Sequence, residues 1–148
     1  MTLTPTNTPE PMRPILTHLA LHVRDVDVSI DFYSRYCQLS VVHERGTGPD
    51  RVIWMSEPGR EKTLVFVMIG GGNPQPQPEG DYRHLGFAMP TRQRVDETAA
   101  LAESEGRLMW PPREEPWPTG YYCGVRDPDG QIVEFSYGQP LGPGSQKP

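Results

Sequence analysis

A long apolar run, a surplus of positive charge and a cysteine framework are all missing from this 148-residue chain. No segment approaches the roughly 20 consecutive apolar residues of a membrane span, and the N-terminal MTLTPTNTPEPMRP has no apolar core of the kind a secretion signal needs. These features lead us to expect a soluble, cytoplasmic protein. With 14 Lys and Arg against 19 Asp and Glu, the formal charge is −5 and the cations are scattered, so neither nucleic acid nor an anionic membrane is an expected partner. The two cysteines, Cys37 and Cys123, show neither metal-ligand nor redox spacing and read as small apolar groups.

What is abundant is proline and glycine, 18 and 15 residues. Many fall in three places: the Thr/Pro-rich residues 1–14, the stretch GGGNPQPQPEGD at Gly70 to Asp81, and the tail GQPLGPGSQKP. The ends read as flexible tails (1–14 and 138–148) and the middle as a linker (71–82). The length suits one domain, here residues 15–137.

The linker separates two halves, 15–70 and 83–137, that repeat one plan. Each opens with a short strand, THLALHV or RHLGFAM, followed by a helix. Asp27 is a candidate cap for the first helix, with Ile30, Tyr33 and Cys37 on one face. Thr91 caps the second, with Val95, Thr98, Ala99 and Ala102 on one face and Gly106 as its stop. Three strands then follow: SVVHER, RVIWMSE and TLVFVMI in the first half, RLMW, GYYCGVR and QIVEFSY in the second. The alternation of QIVEFSY puts Ile132, Glu134 and Ser136 on one face and Val133, Phe135 and Tyr137 on the other. Both faces are partly apolar. An ionised carboxylate there needs a cation or donors, because burying it alone costs several kcal/mol, roughly.

The repeat resembles the vicinal oxygen chelate superfamily, which includes glyoxalases, bleomycin-resistance proteins, fosfomycin-resistance enzymes and extradiol dioxygenases. HLALHVRDVDVSIDFY and DPDGQIVEF carry the likeness, which spans roughly Ile15 to Tyr137. It implies an α+β fold of two paired βαβββ modules forming a cupped, half-open mixed β-sheet barrel. Whether the modules pair within a chain or across a homodimer is left open.

In that superfamily the metal ligands come from the first and last strands of the modules, and the matching positions are His18, His84 and Glu134. The resemblance therefore implies a divalent ion, with Fe, Mn, Zn, Ni and Co all allowed. Two imidazoles and one carboxylate suit such an ion and leave coordination positions open. His18 and His84 are each followed two residues later, on the same strand face, by a tiny residue, Ala20 or Gly86. His22 shares that face with His18, but four strand residues separate the two side chains by about 13 Å, too far for one ion. His43 follows no repeat register and reads as a rim residue.

Glyoxalase I of the lactoylglutathione type usually carries a further glutamate on the last strand of the first module. Aligning TLVFV with QIVEF puts Phe66 there. Related extradiol enzymes commonly carry a tyrosine ten residues before the ligand glutamate, where this chain has Gly124. Tyr122, one pleat away, and His22 are left as acid/base candidates. Phe66, Trp110, Arg113, Trp117 and Tyr121 are candidate substrate contacts, the last four bracketing a proline-stiffened loop. The expected function is a glyoxalase-like metalloenzyme that chelates vicinal oxygens of a small molecule, with lyase, isomerase or group-transfer chemistry. An Fe(II) and O2 extradiol dioxygenase and a non-catalytic drug-binding protein of the bleomycin-resistance kind are the alternatives.

Overall fold

The computed structural model describes residues 12–148; residues 1–11, most of the expected N-terminal tail, lie outside the described residues. The first module comprises β1 (His18–His22), α1 (Val26–Cys37), β2 (Ser40–Arg45), β3 (Val52–Ser56) and β4 (Val65–Ile69). The second comprises β5 (Leu85–Ala88), α2 (Arg92–Ser104), β6 (Leu108–Glu115), β7 (Gly120–Arg126) and β8 (Ile132–Tyr137). Each forms a four-stranded mixed sheet, ordered β1-β4-β3-β2 and β5-β8-β7-β6. The first and last strands of each module pair in parallel, which the intervening helix makes possible by carrying the chain back to its starting edge. Neither sheet closes into a barrel. Among the described residues no helix is long and apolar enough to cross a membrane.

The helices form where their caps and apolar faces allow, with two departures from expectation in α1. Its cap is Asp25, which accepts from the Val28 N–H at 3.2 Å, while Asp27 sits in the first turn and pairs with Arg51. Its buried face is Val26, Ser29, Phe32, Tyr33 and Tyr36, wider than the stripe of Ile30, Tyr33 and Cys37. In α2, Thr91 does cap, accepting from the Arg94 N–H at 3.1 Å, and Val95, Ala99 and Ala102 are buried. Thr98 instead donates its hydroxyl to the Arg94 carbonyl within its own helix.

Both sheets share one apolar core. Phe66 of β4 stacks on Phe87 of β5 at 5.8 Å between centroids, and Phe87 on Phe135 of β8 at 6.0 Å. From α1, Phe32, Tyr33 and Tyr36 enter the same core, and Tyr36 lies 6.3 Å from Phe135. Polar contacts from α1 also tie the modules. The Tyr33 hydroxyl donates to Asp127 at 2.8 Å, and Glu105, just past α2, accepts from the Tyr36 hydroxyl at 2.5 Å and pairs with Arg35 at 3.0 Å. Cys123 is buried and its thiol pKa is pushed up to about 12, first by burial, as befits an inert apolar group.

Glu105 gives a first testable expectation. The Tyr36 hydroxyl, then Arg35, hold its pKa below the ordinary glutamate value. Its contribution is thus present at neutral pH and lost as pH falls from the ordinary value through the depressed one. Glu105→Gln is expected to lower Tm at pH 7 by about 2–4 °C, and to flatten the acid limb of the stability curve. Melts of both proteins across pH check this; parallel acid limbs would refute it.

The proline-rich linker and the C-terminal tail both make hydrogen bonds to the second module. In the linker, Gln77 is buried and donates its side-chain amide to the Arg83 carbonyl at 2.7 Å while accepting from the Ile132 N–H at 2.7 Å. The C-terminal tail, expected to be flexible, is laid against the second module: the Trp117 indole donates to the Gln146 carbonyl at 3.1 Å and the Gln139 amide to the Thr119 carbonyl at 3.0 Å. Backbone carbonyls rather than apolar side chains anchor both segments, so no hydrophobic pattern announces them.

Candidate metal centre

The alternation read from QIVEFSY holds: Val133 and Phe135 enter the shared core, while Glu134 projects from the opposite face of the second sheet and is only 8% exposed. His84, immediately before β5, lies on that same outward face, with Nε2 3.5 Å from Glu134 Oε2. Its Nδ1–H donates to the Tyr82 carbonyl at 2.7 Å, which leaves Nε2 facing the carboxylate side. Gly86 sits directly across the ladder from Glu134, and a Cβ there would stand 3.6 Å from Oε2. Burial raises the Glu134 pKa above the usual glutamate value, and His84 opposes the shift. A buried carboxylate beside an oriented imidazole nitrogen is a donor pair that suits a divalent cation.

His18 is not with them. It lies at the start of β1, on the face of the first sheet that points away from the shared core, where it lines an open cavity of about 470 Å³ with Ala20, Trp54, Val65 and Val67. Because the two sheets pack through their inner faces, their outward faces cannot meet within one chain. Among the described residues no three His, Cys, Asp or Glu side chains converge as a metal site.

The register also corrects the position assigned to Phe66. Gly86 is the ladder partner of Glu134, and Ala20, its counterpart in the first module, is the partner of Val67. Val67 therefore occupies the place equivalent to Glu134. Phe66 is one residue out of phase, 5% exposed and stacked on Phe87 in the core. Its ring packs in the core and does not line the cavity beside His18.

The remaining candidates divide. Trp110 stays at the site, edge-on to His84 at 5.8 Å and to Tyr122 at 6.3 Å. Its indole lies over Gly124, where any Cβ would collide with the ring, so a tyrosine at position 124 has no room. Tyr122 pairs across the ladder with Ser136, one pleat from the Gly124–Glu134 pair, and shares the Glu134 face. Tyr121 points to the other side, bonding Asp96 of α2 with the Arg92 guanidinium 4.2 Å above its ring. Trp117 holds the tail, and Arg113 pairs with Glu115. His22 is at the far end of β1, packed so closely on Gly72 that a Cβ there would be 2.6 Å from its Nδ1. The segment expected to be a loop at 111–115 continues β6 through Pro111 and Pro112, which an edge strand tolerates because its outer N–H groups need no partner. Tyr82, whose carbonyl orients His84 and whose ring lies 6.1 Å from Trp110, was not singled out by any sequence signal.

Comparisons with known proteins agree with this architecture. Residues 15–135 match the family model of the glyoxalase/bleomycin resistance protein/dioxygenase superfamily. The chain is 53% identical over 135 residues to the uncharacterized protein PA2024 of Pseudomonas aeruginosa, covering 91% of this chain and 96% of that protein. Among solved structures it is similar to the fosfomycin resistance protein FosX of Listeria monocytogenes (TM-score 0.68, 20% identity, 84% of this chain and 94% of that one). It is also similar to the trypanothione-dependent glyoxalase I of Leishmania major (TM-score 0.57, 24% identity, 84% and 86%). The duplicated βαβββ plan, the parallel pairing of each module's first and last strands and the family match over most of the chain lead to one conclusion: this protein belongs to the glyoxalase/bleomycin resistance protein/dioxygenase superfamily.

Proposed function

We propose that the protein is a glyoxalase-like metalloenzyme whose centres form between two copies of the chain, each uniting His84 and Glu134 of one copy with His18 of the other. The observation that carries this reading is the pairing of a buried Glu134 with an imidazole whose Nδ1 is already committed, on a sheet face turned away from His18. A two-fold axis would bring the outward face of one copy's first sheet over the outward face of the other's second sheet and form two equivalent cups. The oriented imidazole beside a buried carboxylate favours a metal-dependent member of the superfamily over a non-catalytic binder.

When bound, a divalent ion supplies Lewis-acid polarisation of two adjacent substrate oxygens. The chain's own residues do the rest. His84 and Glu134 would hold the ion, Tyr82 keeps the His84 ring in one tautomer, and Trp110 packs edge-on beside the imidazole. Tyr122 is the phenol on the Glu134 face, in position to donate or accept a proton at its hydroxyl oxygen. The Listeria FosX was crystallised with Mn(II) and a dihydroxypropylphosphonic acid, which is consistent with oxygen chelation in this fold. The Gly124–Trp110 contact favours isomerase, lyase or transferase chemistry over ring cleavage, since it fills the space that an acid/base tyrosine would need.

The test is metal analysis of protein purified without chelators or a nickel column. His18→Ala, His84→Ala and Glu134→Gln are each expected to lose stoichiometric metal, and His22→Ala to retain it. Unfolding and refolding a one-to-one mixture of the His18→Ala and His84→Ala proteins should restore about a quarter of the sites, because half the dimers are mixed and each mixed dimer has one intact centre of two. A mixture that restores none would show that the three residues do not meet across copies.

A further inference from the structure

The cations of the chain are almost all occupied. Arg24, Arg35, Arg51, Arg60, Arg83, Arg92, Arg94, Arg107, Arg113 and Arg126 each face a carboxylate or a carbonyl. Among the described residues, Arg45, Lys62 and Lys147 are the cations that make no such contact, and Arg13 is engaged as well. Two of these three, Arg45 at the end of β2 and Lys62 in the turn before β4, lie on the rim of the same cavity. That cavity is the one lined by His18. Its floor is apolar, built from Val65, Val67 and Ile69 of β4 with Trp54 of β3, and Trp54 is 41% exposed. The carboxylate on the rim, Glu61, is already turned to the Gly59 N–H at 3.0 Å.

From this we infer that the cup takes an amphipathic organic anion, its charged group held by Arg45 and Lys62 and its apolar stem on Trp54, Val65, Val67 and Ile69. This specificity proposal rests on the cup described above, in which the oxygen-bearing end of the same molecule would lie toward His18. The physical case is one of complementarity. An apolar floor of this kind gains by covering, and two unpaired cations beside it gain most from a partner brought into a partly desolvated site. Carboxylate and phosphonate share this chemistry, and the guanidinium fork of Arg45 accepts either.

Titration calorimetry on the full-length, metal-loaded protein tests it with four probes: n-hexylphosphonate, hexanoate, hexanol and inorganic phosphate. At least one of the two amphipathic anions should bind at least about tenfold more tightly than hexanol or inorganic phosphate, a margin of the size charge-assisted bonds supply. The preferred anion identifies the headgroup. The Arg45→Ala/Lys62→Ala double variant should lose that margin, Arg45→Lys should recover most of it, and Lys147→Ala, an unpaired cation elsewhere, should bind as wild type. Metal content should be unchanged in all of them. Equal binding by the double variant, equal binding of hexanol, or no binding of either anion would overturn the inference. Failure of the anions on protein that holds stoichiometric metal would leave the metalloenzyme reading intact. Anion binding that depends on Arg45 and Lys62 in protein that holds no metal would remove that reading alone.

Discussion

Phe66→Glu is expected to yield protein without a cooperative thermal transition, whereas Val67→Glu one residue later should fold and gain stability from divalent metal. The contrast follows from strand alternation. Phe66 is stacked between the sheets against Phe87, so the substitution removes a buried aromatic ring, worth about 3–5 kcal/mol, and strands a carboxylate among apolar side chains at several kcal/mol more, roughly. Together these approach the whole stability of a typical domain, about 5–15 kcal/mol. Val67 instead faces the cavity that His18 lines and holds the ladder position equivalent to Glu134. Although Val67 is only 9% exposed, it lines that cavity and lies on the strand face opposite Phe66, so a glutamate there points toward the cavity rather than between the sheets. In the assembled cup it should act as a fourth ligand, raising metal affinity and blocking one position a bidentate substrate would use. Circular-dichroism melts with and without added divalent ion decide the matter. If Phe66→Glu melts like wild type, or if metal raises its Tm more than that of Val67→Glu, the register described here is wrong.

Asp127→Ala should be the most damaging change outside the apolar core. Asp127 is buried, at 4% exposure, in the turn between β7 and β8. Its carboxylate accepts three hydrogen bonds: from the Tyr33 hydroxyl at 2.8 Å, the Asp129 N–H at 2.8 Å and the Gln131 N–H at 2.9 Å. Removing one shared acceptor leaves three donors without partners, two of them fully enclosed, at about 1–3 kcal/mol each. The expected loss is about 3–5 kcal/mol, or roughly 10–15 °C in Tm for a chain of this size. Because Tyr33 belongs to α1 and Asp127 to the second module, the loss should fall on the joint between modules as well as on the turn. Tyr33→Phe removes one donor and keeps the ring, so it should cost only about 1 kcal/mol. In the double variant the two effects should be less than additive, since the pair shares one bond. A fall of less than about 1 kcal/mol in Asp127→Ala, measured by urea unfolding, would show that water replaces the carboxylate there.

The first damaging substitution also shows how far the chain could be read without its fold. The repeated order of strand, helix and three strands was legible because hydrophobic period changes visibly between THLALHV, the helix after it and TLVFVMI. The direction of Glu134 was legible because a strand alternates with a period of two and QIVEFSY is bounded by the Asp129–Gly130 turn. Phe66 was misplaced by one residue for the same reason. Two apolar-sided strands can be aligned in either phase, and only the inter-strand ladder, which pairs Ala20 with Val67 and Gly86 with Glu134, chooses between them.

What the sequence determined by itself was local: the order of strands and helices, that each helix begins at a side-chain cap, that Glu134 is a carboxylate in an apolar strand, and that a histidine opens each module. What only the tertiary structure decided was which of these groups can meet. The stacked Phe66, Phe87 and Phe135 join the sheets through their inner faces, which turns His18 away from His84 and Glu134 and leaves the cavity beneath His18 open. The physical reason is that either face of such a strand could in principle be the buried one. Local propensity is satisfied in both cases, and the choice is made by long-range packing of aromatic rings whose positions in the chain are far apart.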